Sequence, residues 1–147
     1  MCFWARYVMK ADMRLDVDVL REVLLYLENE LHVEHIDGRI ISNSVNPFEI
    51  KSDNCFKKYS EESVLYAVRM FSDAGLINQC VTVGAGGEWA FNEIYDITFS
   101  GHEFLECISD SGSWGKTKEV AKRAGCYAVS FLGQVASGVV TELIKVK

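Results

Sequence analysis

Tyr59-Ser-Glu-Glu-Ser-Val-Leu-Tyr-Ala-Val-Arg-Met-Phe-Ser-Asp-Ala-Gly-Leu-Ile77, followed by Val83-Gly-Ala-Gly-Gly-Glu-Trp89, decides the reading of this chain. Ser60 is placed as an N-cap, with Glu61 and Glu62 in the first turn, where carboxylates favour the positive end of a helix. Val64, Leu65, Val68 and Phe71 recur at helical spacing and predict a buried stripe. Gly75 supplies the left-handed residue beyond the helix end, and Leu76 folds back on the last turn. The exposed face is expected to carry Glu62, Ser63, Tyr66, Arg69, Met70 and Asp73. A capped amphipathic helix that stops at Ala-Gly-Leu-Ile and runs into a β-hairpin predicts an α+β fold, a winged helix-turn-helix core with two C-terminal helices.

Upstream, residues 15–31 predict helix one. Asp16 is its N-cap, and Leu20, Val23, Leu24, Leu27 and Leu31 form one apolar face. His32 to Asp37 reads as a polar helix end closing at the Asp37-Gly38 turn, and Arg39-Ile-Ile-Ser42 as a short strand. Residues 43–59 read as a long connection around Pro47, with a strand at Phe48-Glu-Ile-Lys51. Downstream, Gln79 to Val83 and Glu88 to Ile97 alternate as two strands around Gly84-Ala-Gly-Gly87. Ser100-Gly-His-Glu103 reads as a capping box that opens helix three, with Phe104, Leu105 and Ile108 apolar. Asp110 to Ser113 breaks that helix. Trp114 to Ala124 predicts a short basic helix, and Val129 to Val146 an amphipathic one with Leu132, Val135, Val139 and Leu143 in line. The organisation is therefore an N-terminal extension at 1–8, a winged-helix domain at 9–111 and a helical appendage at 112–147. The appendage is placed either to pack on its own core or to form a homodimer seam.

Composition narrows the function. The 147 residues are 49% hydrophobic and include eight Phe, six Tyr and three Trp, which suits a folded core. No apolar run approaches the roughly 18 residues of a membrane span, and a cytoplasmic site is expected. The five cysteines (Cys2, Cys55, Cys80, Cys107, Cys126) have no Cys-x-x-Cys spacing, and most of them read as buried reduced thiols. Net charge is −6. Residues 113–147 carry Lys116, Lys118, Lys122, Arg123, Lys145 and Lys147 against Glu119 and Glu142, a balance of +4 that leaves −10 for the rest. An acidic body is a poor match to a phosphate backbone.

Thr98-Phe-Ser-Gly-His-Glu-Phe-Leu105, with Ala74-Gly-Leu-Ile77 before it, Trp114-Gly-Lys-Thr-Lys118 after it and Met9-Lys-Ala-Asp-Met13 near the start, resembles the phage and prophage protein family called domain of unknown function 2513. The resemblance runs over about residues 9–146. It implies a bacterial or phage context and a winged-helix core, and carries no catalytic residues across. Residues 1–8 and the long 43–59 connection depart from its pattern.

The remaining motifs read as structure before chemistry. His32-Val-Glu-His35 spaces two imidazoles without the third and fourth ligands a metal needs. His102 with Glu103 reads as a helix start, with His102 placed to bond a neighbouring strand. A phosphate loop should open a helix, whereas Gly84–Gly87 leads into a strand. Neither an enzyme nor a cofactor is expected. If DNA is read, Ser63, Tyr66, Arg69 and Met70 lie on the recognition helix, with Arg69 able to address guanine between Glu62 and Asp73. Lys116, Lys118, Lys122 and Arg123 form the basic cluster, which suits a solvated face, docking onto acid, or phosphate contact. The expected function is that of a small regulator that binds double-stranded DNA; the alternative is an acidic module that binds a host protein, such as a defence or nucleic-acid-handling complex, and inhibits or adapts it.

Overall fold

Asp16 starts the first helix by accepting from the amides of Asp18 and Val19, and α1 runs over Val17–Glu30. The computed structural model describes residues 15–78, 81–125 and 129–145. Within them the fold is mixed α+β. Strands β1 (Val33–Ile36) and β2 (Arg39–Ser42) form an antiparallel hairpin. Two 3-10 turns follow at Pro47–Ser52 and Asn54–Phe56. Next come α2 (Glu61–Asp73), β3 (Val81–Val83) and β4 (Trp89–Phe91), the two strands pairing antiparallel. The described chain closes with α3 (Phe99–Ile108), α4 (Ser111–Ala124) and α5 (Val129–Lys145).

One core joins these elements. Leu20, Val23, Leu24 and Leu27 from α1 meet Val64, Val68 and Phe71 from α2 and Leu105 and Ile108 from α3, all buried. Burial of side chains of this size stabilises by about 1.5–3 kcal/mol each. Phe56 closes the core below the 3-10 turns and meets Tyr26 edge-on at 5.5 Å. On α2 the buried positions include Ala67, while Leu65 is half-buried, so the stripe is rotated slightly from the one expected.

The end of α2 and the start of α3 interlock. Gly75 takes φ +71°, and Leu76 N–H donates back to Phe71 O at 2.9 Å. Thr98 Oγ1 accepts from Gly101 N–H at 3.1 Å and donates to Gly75 O at 2.5 Å. Thr98 N–H donates to Leu76 O at 3.0 Å. A Cβ placed on Gly101 would fall 2.0 Å from Leu76 O, so only glycine permits this approach. The N-cap of α3 is therefore Thr98, not Ser100, and Glu103 is an exposed residue that closes no capping box. The earlier position wins because Thr98 satisfies the helix start and the α2 end together.

Other expectations are corrected by local chemistry. Residues 33–36, read as a polar helix end, pair with 39–42 through a turn in which Asp37 and Gly38 have φ of 49° and 75°. Phe48–Lys51 is a 3-10 turn and not a strand, because Pro47 sits at its first position and Asn46 caps Phe48 N–H at 3.0 Å. The strand expected over Glu88–Ile97 is regular only at Trp89–Phe91. Beyond it, Ile94 pairs with Val45 and Ile97 with Ile77 as single bridges. Helix α4 begins at Ser111, ahead of Trp114, because Asp110 accepts from Ser113 N–H. Cys55 is exposed and Cys107 half-buried, so neither is one of the buried thiols expected, and Cys2, Cys80 and Cys126 lie outside the described residues. Residues 79–80, where the first wing strand was expected to start, and the 1–8 extension lie outside the described residues.

Candidate functional site

The outward side of α2 and the β3–β4 hairpin form one surface. Strand pairing sets Val81 opposite Phe91 and Val83 opposite Trp89, so these four side chains share a face of the hairpin. Trp89 lies against α2: its ring stacks on Tyr66 at 6.2 Å, and the Arg69 guanidinium sits 4.6 Å from its centre. Phe91 continues the row at 6.1 Å from Trp89, and Phe48 meets Phe91 edge-on at 5.5 Å. The row Phe48, Phe91, Trp89 and Tyr66 crosses the 3-10 turn, the hairpin and α2. Sequence reasoning found Tyr66 and Arg69 but missed Trp89 as their partner and Phe91 and Phe48 as the rest of the row. The alternation of Trp89 and Phe91 along one strand was the available signal.

The other expected site residues are placed differently. Ser63 belongs to the cap of α2: its amide donates to Ser60 Oγ at 3.1 Å, and its hydroxyl accepts from Ser60 at 2.9 Å. Met70 turns away from the hairpin into a groove with Leu15, Phe104 and Gly133. Arg69 also lies 3.9 Å from Asp73. Glu61, Glu62 and Asp73 remain the exposed charges of this helix. At the tip of the hairpin, Gly84 N–H donates to Glu88 O at 2.9 Å, and the Glu88 carboxylate folds over Gly84 and Gly86. The tip is thus covered by an acid.

The basic cluster divides between two sides of α4. Lys118 bonds Asp18 of α1 at 2.8 Å, and Trp114 Nε1–H donates to the same carboxylate oxygen at 3.1 Å. Burial pushes the Asp18 carboxyl up, but the bonds from Lys118 and Trp114 and the positive charge of Lys118 and Lys58 outweigh it and hold its pKa below the usual value. Lys122 lines a cleft beside Lys118, Asp16 and Val17. Lys116 and Arg123 line a separate groove between α4 and α5, and Arg123 pairs with Glu119 at 2.7 Å. No more than part of the cluster is therefore available to one ligand.

The histidines are local. His32 bonds Glu34 at 3.0 Å and Glu30 O at 3.1 Å, which raises its pKa, the Glu34 bond contributing most. His102 shares a cleft of about 230 Å³ with His32, Tyr95 and Asp96. Among the described residues no group of three or more His, Cys, Asp or Glu could hold a metal ion, and no helix is long and apolar enough to cross a membrane.

No curated protein and no solved structure matches the chain. A family model does match, over residues 14–127, a shorter span than the 9–146 suggested by the motifs. The motifs that carry the likeness correspond to packing: Ala-Gly-Leu-Ile and Thr-x-x-Gly interlock α2 with α3, and Trp-x-x-x-Lys grips Asp18. The chain belongs to the family described as Hypothetical protein (DUF2513).

Proposed function

We propose that this chain is a winged-helix protein of phage or prophage origin that acts by binding, not catalysis, and that the face formed by α2 and β3–β4 docks on a host protein presenting positive charge. The winged-helix assignment is supported by the order of elements, in which the capped α2 is followed by a hairpin that continues through the Ile77–Ile97 and Val45–Ile94 bridges. The observation that carries the protein-binding reading is the engagement of Arg69. A recognition helix reads bases with free polar side chains. Here Arg69, the cation that α2 carries, is held between the Trp89 ring and Asp73, while Glu61, Glu62 and Glu88 are exposed nearby. Tyr, Trp and Arg at the centre of an acidic rim is the composition of a protein-binding hot spot, and the charge suits a basic partner. An acidic module of this kind would inhibit or adapt a defence or nucleic-acid-handling complex by occupying its basic surface.

The second reading, a double-stranded DNA regulator, is favoured by the same element order and by the exposure of Lys116 and Lys122 on α4. One experiment separates them. The full chain is titrated with mixed double-stranded DNA, including its own promoter region, at low and then physiological salt, and in parallel is used to capture proteins from host lysate. The protein-binding reading expects no DNA binding at low salt, and a captured protein that is released by salt and lost with Trp89→Ala. Sequence-selective DNA binding that weakens with salt and disappears in Arg69→Ala or Lys116→Ala would replace it with the regulator.

A further inference from the structure

The apolar positions of α5 do not all serve the chain's own core. Leu132 and Ala136 are fully buried, whereas Val135 and Val139 face a groove of about 660 Å³ between α4 and α5. On the α4 side the groove is floored by Val120, which is 42% exposed. The side chain of Leu143, expected in the same stripe, lies outside the described residues.

Gly138 sits in this groove. A glycine inside a helix is destabilising relative to alanine. Gly133, five residues earlier, has a packing reason: a Cβ there would lie 3.2 Å from the Phe104 ring. A Cβ on Gly138 would meet nothing within 4 Å among the described residues. Its lack of a side chain therefore keeps the groove open without serving any contact with the described residues.

The charges around the groove identify what fits it. Lys116 and Arg123 lie on it from α4, with Glu119 between them, and Glu142 lies on it from α5. Two cations are balanced by two carboxylates, in contrast to the acidic body. A strongly basic partner would meet Lys116 and Arg123 here. A second copy of the chain would meet complementary charge.

We infer that this groove is the seam of a homodimer, in which a two-fold axis along the helices lays α4 of each copy over α5 of the other. Helices α4 and α5 pack side by side and are joined by a short connection, so they run antiparallel. That symmetry sets each Lys116 against the second copy's Glu142 and closes Val120, Val135 and Val139 into a four-helix seam, with Gly138 allowing close approach. The inference is independent of which ligand the α2 face binds.

Sedimentation equilibrium of the full chain tests it. The expected result is a concentration-dependent dimer that Gly138→Arg converts to monomer. The added side chain projects into open space in the single chain, so helix content should hold, and the melting temperature should match that of the parent at concentrations where the parent is monomeric. Val120→Lys on the opposite wall should act in the same way. Lys116→Glu and Glu142→Lys should each weaken self-association several-fold, and the double reversal should restore it. A chain that stays monomeric overturns the inference. So does a dimer that survives both Gly138→Arg and Val120→Lys, which would place the seam elsewhere, or a double reversal no better than the single variants.

Discussion

Replacing Gly101 by alanine tests whether the junction between α2 and α3 organises the fold. Helix propensity alone predicts a gain of up to about 1 kcal/mol, because glycine is a poor helix former. The structure predicts the opposite sign. The new methyl would fall 2.0 Å from Leu76 O and 2.6 Å from Ile97 Cγ2. A carbon and a carbonyl oxygen normally approach to roughly 3.4 Å, so the Leu76 carbonyl must retreat by more than an ångström. Its hydrogen bond from Thr98 N–H is already 3.0 Å long and would break, and the adjacent bond from Thr98 Oγ1 to Gly75 O would break with it. Two lost hydrogen bonds cost about 1 kcal/mol each, and overpacking against backbone adds about 1–3 kcal/mol. After the propensity gain is subtracted, Gly101→Ala should destabilise by about 2–4 kcal/mol. Urea unfolding followed by far-ultraviolet circular dichroism would read this as a lower midpoint at unchanged slope, and thermal unfolding as a fall of roughly 5–15 °C. Gly115→Ala is the control. Gly115 is exposed on α4 with nothing within 4 Å of a built Cβ, so alanine there should stabilise by about 0.5–1 kcal/mol. A Gly101→Ala protein as stable as its parent would refute the argument that the carbonyl of Leu76 needs a glycine opposite it.

Three further outcomes are expected. Asp18→Ala removes the acceptor shared by Trp114 and Lys118 and should cost about 1 kcal/mol at neutral pH, a value kept low because Asp18 and Lys118 are 47% and 37% exposed. Because the folded pKa of Asp18 is lowered, its contribution is present above the unfolded value of about 3.9 and is lost as pH falls through the folded one. Urea midpoints of parent and variant should therefore converge in acid, and a constant gap down to the lowest accessible pH would contradict the assignment. Trp89→Ala should free the hairpin from α2, removing a cation–π contact worth about 0.5–1 kcal/mol and the Tyr66 stack. Hydrogen exchange should quicken within 81–91 while the amides of α1 stay protected, and unchanged hairpin protection would argue against the coupling. Although Cys55 is exposed as a residue, its sulfur is partly desolvated, and this together with the Asp53 carboxylate pushes the thiol up to about 11. Its thiolate fraction near pH 8 is then roughly a hundredfold below that of an ordinary cysteine, and its alkylation should be slower to match. Site-resolved mass spectrometry after iodoacetamide treatment would measure it, and labelling at the ordinary rate would contradict the assigned environment.

The sequence alone was enough for features governed by neighbours along the chain. Ser60 with Glu61 and Glu62, and Gly75, mark the two ends of α2 because capping and left-handed residues act within one turn. The apolar spacing of Leu20, Val23, Leu24 and Leu27 locates the core face of α1 for the same reason. Local signals misled where two segments competed for one group. Ser100-Gly-His-Glu103 has capping-box spacing, yet Thr98 caps α3 because its side chain and amide also satisfy the end of α2. The candidate site followed the same division. Tyr66 and Arg69 were legible from helical periodicity, but the ring that holds them, Trp89, is placed only when the hairpin folds over α2. Lys118 looked like part of a basic patch until Asp18, 100 residues away in the sequence, took it. Net charge and helix faces depend on composition and short-range spacing, so the sequence determined them. Which charges remain open to a ligand depends on contacts between distant segments, and only the tertiary structure decided that.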